Sequence, residues 1–148
     1  MTYPEWDAYA ATRVEVRPLD SRAFVITSAQ IGISGEWPFP TLAEAWVLTA
    51  CNPRSVQLTD AANAARHDQL RIDLAACGAE LIETTGRDVV GDWQEPGYVV
   101  LGVPGHVALG LAERYEQNAV FHWTPTEWAI HGVLQPGHRV MGWERSPA

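Results

Sequence analysis

Residues 46–77, WVLTACNPRSVQLTDAANAARHDQLRIDLAAC, decide how the rest of the chain is read. An apolar, strand-like run at 46–50 meets a polar Asn52-Pro53 turn. Ser55, Thr59 and Asp60 then lead into the longest helical pattern in the sequence. Thr59 or Asp60 suits the N-cap, and Gly78 supplies the stop. On the helical wheel Leu58, Ala61, Ala62, Ala65, Ile72 and Ala76 share a face whose small N-terminal residues suit close packing on a sheet. A second stripe of Asn63, Arg66, Leu70, Leu74 and Cys77 is apolar low down and polar at the helix start. That change of character predicts Asn63 and Arg66 along the flank, facing the Asn52-Pro53 turn.

Outward from this unit, further strands are expected at 23–29, 79–85, 98–103, 118–123 and 128–130, with a hairpin at 134–143 turning on Pro136-Gly137. The run YVVLGV at 98–103 has no polar side chain except the tyrosine hydroxyl, so it reads as a central strand covered on both faces. Pro104 and Gly105 open a second helix whose shared face is Val107, Ala108, Leu111, Ala112 and Tyr115. Within residues 1–23, Tyr3, Trp6 and Tyr9 recur at helical intervals and suggest a short helix packed on the body. The loop at 31–40 carries Trp37 and Phe39 and should fold back over something. Residues 86–95 read as a polar loop holding Trp93, and 144–148 as a tail. The resulting order, ββαββαββ, predicts one α+β domain over 1–148. Its form would be a two-layer sandwich: a mixed β-sheet with the two main helices on one face.

At 148 residues the chain is long enough for a core without staples, and 47% hydrophobic against 19% charged residues is a globular balance. A net charge of -8 argues against a partner recognised through its phosphates, so nucleic acid is not expected. All ten basic residues are arginine. Without a lysine there is no Schiff-base chemistry, covalent pyridoxal attachment or Walker-type phosphate lysine, and no cofactor is implied. Cys51 and Cys77 fit no paired motif and read as free thiols of a reducing cytoplasm. No apolar run is long enough to cross a bilayer, so no membrane partner is expected.

Four ordered motifs carry a resemblance. They are L-T-A-C-N-P-x-S from Leu48, N-x-x-R-x-x-x-L from Asn63, E-P-G-Y-V-V-L-G from Glu95, and Y-x-Q-N-A-V-F from Tyr115. Together they resemble an uncharacterised bacterial family, the domain of unknown function DUF3293, over about residues 46–123. The resemblance implies no activity. It does mark Asn52, Pro53, Ser55, Asn63, Arg66, Leu70, Glu95, Pro96, Gln117, Ala119 and Phe121. Position 51, often aromatic in that pattern, is Cys51 here.

The polar members of that set make a candidate site. The N-terminus of the 59–77 helix favours an anion through its free N–H groups and macrodipole, and Arg66 offers a bidentate fork. Asn52, Ser55, Asn63 and Gln117 add neutral ligand-binding groups. Glu95, at the mouth of the most buried strand, is the candidate catalytic acid or base, because desolvation raises a carboxyl pKa. The ordinary reading of the same residues is a turn, caps and a salt bridge. Cys51 would need His67 or His122 beside it to act as a nucleophile; a small core residue is the plainer role. His67, His106, His122, His131 and His138 show no metal-binding spacing, and no metal is implied. Trp37 and Trp93, in loops, suit a pocket wall or a homodimer contact.

Two readings stay open. One is a small cytoplasmic protein with a polar pocket for an anionic small molecule, phosphate or carboxylate, in which Glu95 is the candidate acid or base. The other is a non-enzymatic interaction or regulatory module in which these residues form a structural network.

Overall fold

The segment RVEVR, Arg13–Arg17, alternates charged and β-branched residues with period two, and it is the strand that sets the architecture. In the computed structural model, which describes residues 4–88 and 93–148, this β1 hydrogen-bonds on both sides. One neighbour is β2 (Phe24–Ala29) and the other is β4 (Glu80–Arg87), each antiparallel. The remaining strands are β3 (Ala45–Leu48), β5 (Gln94–Leu101), β6 (Ala119–Trp123), β7 (Trp128–Gly132) and β8 (His138–Pro147). They complete a closed barrel in the order β1-β2-β8-β7-β6-β3-β5-β4, with every pairing antiparallel.

The expected α+β sandwich is therefore wrong. The helix positions expected from the sequence hold, with α2 at Asp60–Ala76 and α3 at Gly105–Arg114, preceded by a short α1 at Pro4–Ala11. The error lies in what closes the sheet. Without β1 the same strands would form an open sheet ending at β2 and β4. With it, neither edge is free. Residues 144–147 are not a tail but the end of β8, paired to β2 as far as Phe24↔Pro147. The C-terminal hairpin is formed by β7 and β8 together, not within 134–143. Nor is the sheet mixed: the β3–α2–β4 and β5–α3–β6 crossovers each skip one strand, which lies antiparallel to both its neighbours.

Period-two alternation divides the apolar residues between two cores. Val14, Val16, Ile26, Val47, Val99, Phe121, Trp123, Trp128, Ile130 and Trp143 fill the barrel interior. Trp46, Leu48, Tyr98, Val100 and Val120 point outward beneath the helices, meeting Leu70 and Leu74 of α2 and Ala108 and Ala112 of α3. The 98–101 segment is covered on both faces, as its sequence implies. Thr59 caps α2, its side chain accepting from the Ala62 N–H. The face that packs is the second stripe: Leu70 and Leu74 are buried, whereas Ala61, Ala65 and Ala76 are exposed and Ile72 keeps 51% of its surface in water.

One end of the barrel is plugged by the loop over residues 30–44. Trp37 and Phe39 set their rings edge-on to Trp123 at 5.1 and 5.4 Å, and the Trp37 indole donates to the carbonyls of Phe39 and Leu42. Gly35 is required there, because a Cβ would lie 2.7 Å from the Trp143 ring. The opposite end collects the start of β1, β5, β6 and β8 and the finish of β2, β3, β4 and β7, with α1 laid beside it.

Trp123 is fully buried against Trp37, Phe39, Trp128 and Trp143. Replacing it with alanine should lower the unfolding free energy by about 3–5 kcal/mol, read from urea titration. A loss under about 1 kcal/mol would show that the plugged end contributes little.

Candidate functional site

The turn after β3 is built on backbone that few residues adopt. Asn52, Arg54 and Ser55 all have positive φ (50°, 55° and 62°), as does Glu116 opposite them (59°). Asparagine tolerates this left-handed region better than most side chains. The strain is held by cross-links. The Arg54 N–H donates to the Glu116 carbonyl at 2.7 Å, the Arg54 side chain pairs with the Glu116 carboxylate at 3.3 Å, and Asn118 donates to Ser55 Oγ at 3.1 Å. Backbone strain maintained in this way is a mark of sites where side-chain direction matters.

At the centre is a knot of two amides. The Asn52 backbone N–H donates to Asn63 Oδ1 at 2.9 Å, and Asn63 Nδ2 donates back to Asn52 Oδ1 at 2.8 Å. Asn52 Oδ1 also accepts from the Leu58 N–H at 3.0 Å. With two donors on that oxygen, the Asn52 amide has only one orientation, and its Nδ2 donates to Glu95 Oε2 at 3.0 Å. One carboxylate oxygen is thereby fixed.

Glu95 stands at the seam of two spaces. Outside it lies a cleft of about 460 Å³ lined by Ala8, Tyr9, Thr12, Asn52, Ser55, Gln57, Asp88, Trp93, Glu95, Gln117 and Asn118. Inside lies a pit of about 50 Å³ entering the barrel among Val14, Val47, Thr84, Gly97 and Phe121. Tyr9, Thr12, Trp93 and Glu95 border both. Burial pushes the Glu95 carboxyl up to about 7, and hydrogen bonding to Asn52 and Thr49 only partly offsets it. Gly97 in β5 lets the strands approach beneath it, since a Cβ there would lie 2.4 Å from the Leu48 carbonyl.

Four of the six expected site residues line the cleft: Asn52, Ser55, Glu95 and Gln117. Asn63 and Arg66 stand behind its wall. Arg66 Nε donates to the Ala50 carbonyl at 2.5 Å and its Nη2 to the Tyr115 carbonyl at 2.6 Å, tying β3 to the end of α3. Gln117 is buried, and its Nε2 donates to the Cys51 and Tyr115 carbonyls. The Cys51 thiol is buried and pushed up to about 11, chiefly by desolvation, so it is a poor nucleophile. His67 stacks on Tyr98, and His122 stacks on Trp46 while pairing with Glu44; neither lines the cleft. Among the described residues, no three His, Cys, Asp or Glu side chains gather closely enough to hold a metal ion. Tyr9, Thr12 and Asp88 escaped the sequence reading as site residues, because only closure through β1 carries Thr12 across to Asn52 and Glu95. Part of the expected 86–95 loop, residues 89–92, lies outside the described residues, and β4 and β5 occupy both its ends.

A family model, "Protein of unknown function (DUF3293)", matches residues 48–120. The chain belongs to this family. No curated protein and no solved structure matches it. The region matched in this DUF3293 chain contains the Asn52 turn, both main helices and Glu95, but not Ala8, Tyr9 and Thr12, which complete the lining of the cleft.

Two outcomes follow from this geometry. Glu95 ionises near 4.5 when unfolded but near 7 when folded, so the stability it contributes is complete below about pH 4.5 and is lost as pH rises through about 7. Glu95→Gln, which mimics the neutral acid, should match wild type near pH 4 and exceed it by about 2–3 kcal/mol near pH 8 in urea titrations. An equal difference at both pH values would contradict the shifted carboxyl. Arg66→Ala removes the side-chain donor of the Ala50 carbonyl and one of the two at the Tyr115 carbonyl. It should cost about 2–4 kcal/mol by the same measurement, with Arg66→Lys recovering only part because it lacks the fork.

Proposed function

We propose that this DUF3293 protein binds a small polar molecule in the cleft at the open end of its barrel, and that the Glu95 carboxyl exchanges a proton with that molecule. The observation that carries the reading is the amide knot. It fixes Glu95 Oε2 by a donor that cannot flip, on a residue that lines both the cleft and the pit. A carboxyl that titrates near 7 is suited to give or accept a proton at neutral pH. The cleft volume falls within the range of small-molecule sites, and its lining mixes aromatic, amide and hydroxyl groups.

The reading departs from an anion site centred on Arg66. That guanidinium commits two of its donors to backbone carbonyls and does not line the cleft, whereas Glu95 and Asp88 do. A cytoplasmic setting is part of the proposal, supported by two cysteines that are free, one buried and one exposed. The second reading, a non-enzymatic module, is favoured by Asn63 and Arg66, whose hydrogen bonds run within the chain.

The test is thermal-shift screening of wild type against nucleosides, amino acids, sugars, amines and carboxylates, alongside Ala8→Trp. Ala8 is an exposed cleft-lining residue of α1, so tryptophan there should fill the cleft and leave the fold intact. Binders should stabilise wild type and not Ala8→Trp. Any turnover of a binder, measured at saturating concentration, should fall by about 10²–10⁴-fold in Glu95→Gln. Binders indifferent to Ala8→Trp, or none at millimolar concentration, would leave the module reading in place.

A further inference from the structure

The charge around the cleft is one-sided. Glu95 and Asp88 are the ionisable carboxylates of its lining, and among the described residues no Arg or His side chain lines it. The sequence has no lysine to supply a countercharge from elsewhere. The two arginines closest in sequence to the Asn52 turn are engaged, Arg54 with the Glu116 carboxylate and Arg66 with carbonyls. Glu95 thus has hydrogen bonding to neutral groups but no described cationic partner, an expensive state for a carboxylate removed from water. A cation arriving in the cleft would relieve it.

The aromatic residues point the same way. Tyr9 and Trp93 border both the cleft and the pit, and Trp93 is 39% exposed although it is a large apolar side chain. Tyr9 is half-buried against Trp6 and Phe121. An exposed indole face such as that of Trp93 beside carboxylates is the usual surrounding for an organic ammonium ion, attracted by the ring quadrupole and by charge. The pit behind Glu95, walled by Val14, Val47 and Phe121, has room for a methyl or a short methylene stem but not for a ring.

We infer that the ligand of this cleft is a small amine: its ammonium group lies beside Glu95, its short hydrocarbon stem enters the pit, and Trp93 and Tyr9 flank it. This rests on the cleft being the binding site and adds the chemical class of what fills it. Asp88 draws the cation toward the cleft, and Asn52 keeps Glu95 aimed at it. A phosphate or carboxylate in the same place would meet two like charges.

The test uses matched probes on the full-length, isotope-labelled protein: n-butylammonium, n-butanol, butyrate and inorganic phosphate, followed by NMR through the Trp93 indole N–H and the Asn52 side-chain amide. The amine should move both signals and bind at least about tenfold more tightly than the alcohol, while butyrate and phosphate leave them in place. Glu95→Gln and Asp88→Asn should each weaken the amine and leave the alcohol unaffected. If the alcohol equals the amine, or an anion binds more tightly, the amine assignment fails while the cleft survives as a site. If no probe moves either signal, both fail.

Discussion

Everything in this protein depends on a five-residue strand that bonds to two partners at once. Arg13–Arg17 pairs with β2 through Val14↔Ile26 and with β4 along its whole length, from Arg13↔Arg87 to Arg17↔Glu83. Val14 and Val16 turn inward, and the charged residues turn out. Closure removes both sheet edges and creates an interior that only side chains can fill. It also brings the end of α1, with Tyr9 and Thr12, opposite the Asn52 turn and Glu95. The cleft exists because the ring is closed.

Within that frame the two ends of the barrel have different chemistry for a simple reason. One is filled by tryptophan: Trp37 from the 30–44 loop, Trp128 and Trp143 all make edge-on contacts with Trp123. The other is bordered by polar connections whose hydrogen bonds run to one another. Thr49 illustrates the economy. Its hydroxyl donates to the Pro96 carbonyl at 2.8 Å and accepts from the Cys51 N–H at 3.0 Å, fastening the end of β3 to the start of β5. Arg66 and Gln117 fasten the same segment to the end of α3. With so many neutral groups oriented by the backbone, the Glu95 carboxyl is held in place without a charge to balance it.

The residues around position 52 show how far a single chain can be read. Asparagine followed by proline announces a turn, and Asn63 and Arg66 at a three-residue spacing lie together on a helix flank; both statements hold in the fold. What spacing could not convey is direction. Arg66 turns toward carbonyls and away from the cleft, because Ala50 and Tyr115 leave acceptors where strand and helix end, and a buried carbonyl without a donor is costly. Asn52 faces Glu95 only because Asn63 and the Leu58 N–H occupy its oxygen. Ile72, on the face that looked apolar, stays in water because the barrel wall curves and α2 touches it along Leu70 and Leu74.

The sequence by itself determined the local elements: the three helices, the period-two strands of the core, the Asn-Pro turn, and a carboxyl beside the most buried strand. Those are decided by neighbours within a few positions, through propensity, capping and alternation. Whether eight strands lie open or close into a ring was decided only by tertiary pairing between residues far apart in the chain, Arg13 with Arg87 and Phe24 with Pro147. The strand–helix–strand order is the same for an open sheet and for this barrel. The difference is the set of backbone hydrogen bonds that satisfies two edges at once, and no local periodicity encodes it.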